Sequence, residues 1–369
     1  MSNLPKVIHR VFSIGLEMAL INHDDDVEPP LKRFLRQHIQ VNGPMPWSEF
    51  MRMAVTYYYD NYHPFGMNGD FITAPEISHL FGHTLAVWCT QQILASPHNI
   101  WNIVELGGGN GTMMFDILNV LHKLPQVWGK IAEISMVERS ARLREKQRDM
   151  LRGYGSKVSW YESILELPKS HNLVLANEFW DALAIAQYQM LKGKLHERYV
   201  MLDEKGEFQW SISPTGIDPL VMYKTLPPEG AVVEVCREGQ NVLKQLLKHH
   251  QGAELHLLTI DYGYIEPLYN STVQAIKHHA KVSVFEHVGE ADISALVDFA
   301  ALAEVAVNSS ATVTCHTQAE FLQHYGINEL AAKAILQNGN AANIHSQLER
   351  LVGVEQMGDL FKAMHVYSR

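Results

Sequence analysis

An α/β protein with a doubly wound, mainly parallel, Rossmann-like sheet is what this sequence predicts. It should carry an N-terminal helical extension and a β-rich insertion. Three observations lead there. From about residue 101, short apolar strands alternate with helical segments. The first of these strands runs into a glycine-rich turn that opens a helix. A stretch at about 185–235, containing Pro214, Pro219, Pro227 and Pro228, breaks the alternation with hairpin-like segments. Alternating strands and helices argue for a parallel sheet covered on both faces.

The elements follow in order. Residues 1–30 read as an appendage, ending in the acidic run Asp24–Asp26 and then Pro29 and Pro30. The short apolar stretch from Val11 to Ile21 is interrupted by Glu17 and reads as a helix rather than a targeting peptide. Residues 31–100 form a helical region. Leu31, Phe34, Leu35 and Ile39 mark one helix, and Phe50, Met53, Ala54 and Tyr57 mark a second with Ser48 as its N-cap. A turn-rich loop spans His63–Asp70, and a third helix is expected from about Pro75 to Leu94. The main domain, 101–369, then gives strands at Asn102–Leu106, Ile131–Glu138, Lys157–Tyr161, Asn172–Ala176, Glu254–Ile260 and Ala311–Cys315. Helices are expected at Thr112–Leu121, Ala141–Leu151 and Ile293–Val307, with helical segments through Gly353.

Composition removes several classes. The chain has 30 Lys and Arg against 40 Asp and Glu, a formal charge of −10, and no basic stripe of the kind nucleic acid requires. No apolar run reaches the roughly 18–20 residues of a membrane span. Cys89, Cys236 and Cys315 form no CxxC pair, which suits a reducing compartment and a cytoplasmic location. No HExxH occurs. Glu76, His79 and His83, at i, i+3 and i+7 on one helix face, read as surface or cap-contact residues, and no metal is expected.

The chemistry concentrates in Trp101-Asn-Ile-Val-Glu-Leu-Gly-Gly-Gly-Asn-Gly-Thr112. An apolar strand ends in Glu105, and Gly107, Gly109 and Gly111 let the backbone turn sharply and approach a ligand. Two cofactors compete for such a turn. A dinucleotide site wants GxGxxG, whose third glycine would stand where this chain has Thr112. S-adenosyl-L-methionine carries an ammonium and no pyrophosphate, so an acid beside the turn favours it. Glu138 closes the second strand, where a carboxylate accepts hydrogen bonds from two ribose hydroxyls. Ser163 follows the third strand, on a loop that passes the adenine in this architecture. The fourth strand opens into Asn177-Glu178-Phe179-Trp180-Asp181, where polar groups would face the reacting centre.

With these residues in hand, the chain resembles the MidA-like methyltransferase family, which includes a mitochondrial complex I assembly factor. The resemblance runs from about residue 31 to the C-terminus. It rests on His63-Pro-Phe-Gly, Gly69-Asp-Phe-Ile-Thr-Ala-Pro-Glu-Ile-Ser78, the Glu105–Thr112 turn, Asn177-Glu-Phe-Trp-Asp-Ala-Leu183, Ile260-Asp-Tyr-Gly263 and Asp292-Ile-Ser294. The chain departs from the family's pattern at Gly108, Asn110, Ala184 and Leu296. The resemblance implies a class I methyltransferase fold and S-adenosyl-L-methionine as cofactor. It implies a segment covering that cofactor, with Asp70, Thr73 and Glu76 at the methionine end. It also implies a protein acceptor, namely an arginine of a respiratory complex subunit. Asn177, Glu178 and Asp181 would then be catalytic, the two carboxylates orienting a guanidinium. A cofactor-binding assembly factor with little catalysis and a small-molecule methyltransferase are the alternatives, and a homodimer is open. The expected location is the bacterial cytoplasm, with the mitochondrial matrix as the alternative.

Overall fold

The computed structural model describes residues 28–62, 73–221, 226–338 and 340–369. The expectations for residues 1–27, for the His63–Asp70 loop and for Asp70 lie outside the described residues.

Seven strands form the path of the central sheet: β1 (Trp101–Leu106), β2 (Ile131–Val137), β3 (Val158–Tyr161), β4 (His171–Asn177), β5 (Leu255–Tyr264), β6 (Thr312–Thr317) and β7 (Phe361–Ser368). Their order across the sheet is 3-2-1-4-5-7-6, and a short strand at Val297–Asp298 pairs with β5 as well. β7 runs antiparallel to both its neighbours, and the remaining path strands are parallel. The register is continuous from β1 through β4 to β5, with Ile103 opposite Leu173 and Ile260 opposite Asn177, while β1 pairs with β2 across a shift at Trp101/Asn102 that brings Ile103 opposite Ile134. The chain crosses from one half of the sheet to the other between β1 and β4. In such sheets ligands bind at that crossing, outside the carboxyl ends of the strands.

The central strands β1, β4 and β5 are buried on both faces, which is why they read as nearly continuous apolar runs. On one face, helices α3 (His79–Ala95) and α4 (Thr112–Leu121) pack Trp88, Ile93, Met114, Ile117 and Leu121 against Ile103 and Leu173. On the other, α6 (Arg237–His249) and α7 (Phe299–Asn308) pack Leu243, Leu246, Phe299 and Leu302 against Val104, Val174 and Leu257. α5 (Ala141–Leu151) follows β2. Before the sheet, α1 (Pro30–Asn42) and α2 (Trp47–Asn61) bury Leu31, Leu35, Ile39, Trp47, Phe50 and Ala54 in a separate core. Pro30 opens α1, where its missing N–H costs nothing. Strands 186–191, 194–202, 208–212 and 232–235, joined by Met45–Pro46, build a second sheet. After β6 come α8 (Gln318–His324), α9 (Ile327–Asn338) and α10 (Ala341–Val352).

Several boundaries differ from the sequence expectation. The third helix is two pieces, Ala74–Ile77 and α3, broken at Ser78, whose hydroxyl accepts the Leu80 N–H and caps the longer piece. Glu76 and the two histidines therefore do not share one helix. α2 begins at Trp47 behind Pro46, so Ser48 lies inside the helix and is not its cap. The helix expected from Ile293 starts only at Phe299, capped by the Asp298 side chain. Asp292–Ser294 is a strand instead, because its backbone pairs with Gln274–Ile276. α6 and β7 have no counterpart in the expectation.

Candidate active site

The glycine turn follows β1 and sits at the crossing. Gly107, Gly109 and Gly111 all have positive φ, at 64°, 51° and 87°. A Cβ on Gly107 would lie 2.9 Å from the Phe179 ring. One on Gly108 would lie 2.7 Å from the Met136 methyl and 2.9 Å from the Glu105 carboxyl carbon, so Met136 fills the room a larger residue at 108 would need. The turn is held from outside by Gln147 on α5. Its amide donates to the Gly109 carbonyl at 3.0 Å and accepts from the Trp160 indole at 3.1 Å. Nothing in the sequence marks Gln147, since its role depends on α5 packing beside the turn.

Glu105, the last acid of β1, is buried, and its Oε2 has no hydrogen-bond partner in the protein. Burial and the nearby Glu138 push its pKa to about 8, against a backbone hydrogen bond from Met114. An orphaned, buried carboxylate oxygen under a glycine turn costs free energy unless a cationic or hydrogen-bonding ligand meets it. Glu138, half-buried at the end of β2, accepts the Ser140 N–H at 2.9 Å, and burial raises its pKa. The expected cofactor presents an ammonium and two ribose hydroxyls, all donors, and these residues present acceptors. The residues therefore fit S-adenosyl-L-methionine. Ser163 is half-buried after β3, and its hydroxyl accepts the Leu165 N–H.

The segment before α3 folds onto the same edge. The Ala74 N–H donates to Glu178 Oε1 at 3.2 Å, and Asn110 in the glycine turn donates to Glu76 Oε1 at 2.7 Å. Lys146 reaches Asn110 Oδ1 at 3.4 Å. Thr73 is buried at the N-terminus of the Ala74–Ile77 turn but makes no side-chain cap, its carbonyl instead accepting the Glu76 and Ile77 N–H groups. His79 turns away to Asp116 on α4, with Nδ1 2.7 and 2.9 Å from the two carboxylate oxygens.

After β4 the chain makes a tight turn. Glu178 has φ of 48°, a left-handed conformation that costs a non-glycine residue roughly 1–3 kcal/mol. Its carboxylate accepts from Ala74 N–H and, at 3.2 Å, from the Asn177 side chain, whose own Oδ1 is buried without a partner. Burial and Asp181 push the Glu178 pKa to about 8. Asp181 is buried and pushed up to about 6, with a hydrogen bond from Tyr262 opposing burial. Asp261 in β5 closes the turn from below.

Glu178, Asp181, Tyr262, Asp292, Ser294 and Leu296 line a cavity of about 400 Å³ at this edge, with Arg350, Asp359 and Lys362 also bordering it. Asp292 is buried on the strand that replaced the expected helix. Its place beside Glu178 follows from strand pairing, so the sequence alone could not assign it to the site. The described candidates thus meet at one edge: the glycine turn, Glu105, Glu138 and Ser163 on one side, and Asn177, Glu178 and Asp181 on the other. The Thr73–Glu76 segment bridges them.

A different cluster lies at the opposite edge. His98, His171 and Glu254 bring ligand-type atoms within 4.8 Å of one another. The two rings are stacked, 3.6 Å between centroids and 9° between planes. Their in-plane lone pairs therefore run parallel rather than converge on a common point, and His171 Nδ1 accepts the Glu254 N–H at 2.9 Å. This is a hydrogen-bonded network, not ligand geometry. No helix among the described residues is long and apolar enough to cross a membrane.

Comparison with known proteins agrees with this geometry. Residues 84–317 match the family described as "Putative S-adenosyl-L-methionine-dependent methyltransferase". The chain is 30% identical to the protein arginine methyltransferase NDUFAF7, mitochondrial, of Danio rerio, over 93% of this chain and 88% of that protein. It is 29% identical to the human protein of the same name, over 95% and 85%. A crystal structure of a protein from Burkholderia thailandensis, described as a "likely methyl transferase" and bound to S-adenosyl-homocysteine, superposes with a TM-score of 0.81 at 26% identity, covering 93% of this chain and 95% of that one. These relatives correct one expectation. The curated proteins from Danio rerio, Rattus norvegicus and Homo sapiens are all named mitochondrial, which overturns the bacterial cytoplasmic location. The strand order, the glycine turn with its buried acid and the match over residues 84–317 agree: this chain belongs to the S-adenosyl-L-methionine-dependent methyltransferase family.

Proposed function

We propose that the chain methylates arginine side chains of a protein acceptor, with Glu178 and Asp181 as the groups that hold the guanidinium. The observation that carries this reading is the cavity at the carboxyl edge, where Glu178, Asp181 and Asp292 line one space. Buried like charges are costly, and a cation placed among them relieves that cost. An arginine guanidinium is such a cation and stays charged, with a pKa above about 12. Its planar fork suits carboxylate acceptors. The relatives named as protein arginine methyltransferases support the same acceptor class.

Bound S-adenosyl-L-methionine supplies a methyl group on a positively charged sulfur. In this reading Gly107, Gly109 and Gly111 give it close backbone approach, Glu105 meets its ammonium and Glu138 its ribose hydroxyls. Thr73 and Glu76 cover the methionine end and Ser163 borders the adenine. The resemblance places Asp70, outside the described residues, at the same end. Glu178 and Asp181 orient the acceptor nitrogen for in-line attack, which is a positioning effect worth up to roughly 7–11 kcal/mol in favourable cases. The methylated nitrogen must lose a proton; the bound guanidinium returns Glu178 to its charged form, so that its carboxylate oxygen accepts that proton. Asn177 holds Glu178 in place through its side-chain amide.

The test is transfer of labelled methyl groups from S-adenosyl-L-methionine into a protein fraction, with hydrolysis to identify the labelled residue. Respiratory complex subunits are the first acceptors to try. Label in methylated arginine is the expected result. Label confined to small molecules, or to residues other than arginine, would sink the proposal.

A further inference from the structure

Asp261 lies in β5, one strand away from the turn that carries Glu178 and Asp181, and is fully buried. Its Oδ2 accepts three consecutive backbone N–H groups, from Phe179 at 3.1 Å, Trp180 at 2.9 Å and Asp181 at 3.3 Å. Its Oδ1 takes the N–H of Tyr262 at 3.0 Å. Three successive amides on one carboxylate oxygen make a concave anion-binding arrangement, here closed by the protein's own side chain. The same turn opens with Glu178 at φ 48°, a conformation that persists only where its surroundings over-determine it. Glu178 is further tied to β5 by its own N–H, which donates to the Ile260 carbonyl at 2.9 Å. A neutral structural turn would need no buried acid here, since burying a carboxylate beside two others is unfavourable.

We propose that Asp261 is a positioning residue: it pins the turn so that Glu178 and Asp181 face the acceptor cavity together. This rests on the reading that those two residues hold the acceptor. Asp261 has no face on the methyl acceptor and acts only through the turn. Asp261→Asn places an NH₂ donor where one carboxylate oxygen stood, so either the turn amides or the Tyr262 N–H lose their acceptor.

The experiment is a double-mutant cycle on the full chain with S-adenosyl-L-methionine and an arginine acceptor. Asp261→Asn should lower kcat by about 10²-fold, the size of an ångström-scale misplacement. Cofactor affinity and acceptor KM should stay within a few-fold. On the Glu178→Gln background the same change should cost far less, because its effect runs through Glu178 and its neighbour. Full multiplicativity of the two losses, unchanged kcat, or a loss of cofactor affinity equal to the loss of kcat would each overturn the proposal. Should Glu178→Gln alone transfer methyl groups at the wild-type rate, it is the acceptor reading that fails. If Asp261→Asn does not fold, amide exchange in the wild type decides. Phe179, Trp180 and Asp181 should be strongly protected, and exchange as fast as in the surface turn at 203–206 would overturn the assignment.

Discussion

The two edges of the central sheet carry cavities of nearly equal size, about 400 Å³ at the carboxyl edge and about 410 Å³ at the amino edge. Both contain buried carboxylates. At the amino edge Glu254 is satisfied on every side: it accepts from Ser96 at 2.9 Å, contacts His256 at 3.1 Å and lies 3.3 Å from His98. Those partners hold its pKa below the usual carboxylate value despite burial. At the carboxyl edge Glu105 keeps one oxygen without a protein partner and lies near Glu138, while Glu178 and Asp181 repel each other despite hydrogen bonds from Ala74, Asn177 and Tyr262, and the three pKa values rise to about 8, 8 and 6. Volume therefore does not distinguish the site. What does is electrostatics: the acid at one edge is satisfied by the protein's own groups, and those at the other keep raised pKa values.

That contrast can be broken at its strongest point first. Gly109→Val puts a β-branched residue at φ 51° on the ligand's approach path. Calorimetry should show loss of S-adenosyl-L-methionine binding, with the fold retained because the turn is at the sheet edge. Unchanged affinity in a folded variant would remove the glycine turn from the site. Next in size is Glu178→Gln. Turnover should fall by about 10²-fold, about 2.7 kcal/mol at 1.36 per decade, while cofactor affinity stays within a few-fold. The same variant sharpens the comparison through pH. A carboxylate whose folded pKa is raised to about 8 binds its proton more tightly in the folded state. Wild-type stability should therefore fall as pH climbs from about 4.5 to about 8. Glu178→Gln removes part of that fall and should melt higher than wild type at pH 9. Equal melting temperatures there would contradict the claim of an unrelieved charge.

Smaller effects follow. Glu138→Ala should weaken the cofactor by roughly 1.5–3 kcal/mol, the range for hydrogen bonds to a charged group, and leave binding of free methionine nearly unchanged. Equal losses for both ligands would point away from the ribose. At the amino edge, Glu254→Gln should leave cofactor binding and turnover alone and cost about 1–3 kcal/mol of stability. The folded pKa of Glu254 is depressed, so its contribution is present above the usual value of 4.5 and lost as pH falls through the folded value. The stability gap between wild type and variant should therefore close in acid. A gap that widens in acid, or a loss of turnover, would mean the two edges are not separate in function.

Much of the site was legible. The glycine spacing with an acid two residues before it, Glu138 at the end of an apolar strand, and the Asn177–Asp181 cluster are local signals. Each depends on a side chain's position relative to its own strand end, and Ala141–Leu151 came out with both boundaries right for the same local reason. The residues that support these groups were less visible. Gln147 props the turn from α5, Asp292 enters on a strand that reads as a helix, and Met136 accommodates Gly108.

The sequence by itself determined the alternation of strands and helices from β1 to β4, the glycine turn and the list of acids. Hydrophobic period, turn chemistry and strand-end acids are properties of neighbours along the chain. Only the tertiary structure decided where β7 goes. Phe361–Ser368 inserts antiparallel between β5 and β6, and this places Phe361 and Lys362 beside the carboxyl-edge cavity. It also decided which acids are relieved. Glu105, Glu178, Asp261 and Glu254 each end or adjoin an apolar strand, and nothing local separates them. Their fates diverge because Asp261 meets three amides, Glu254 meets histidines and Ser96, and Glu105 meets one backbone N–H and the like charge of Glu138, leaving Oε2 without a protein partner.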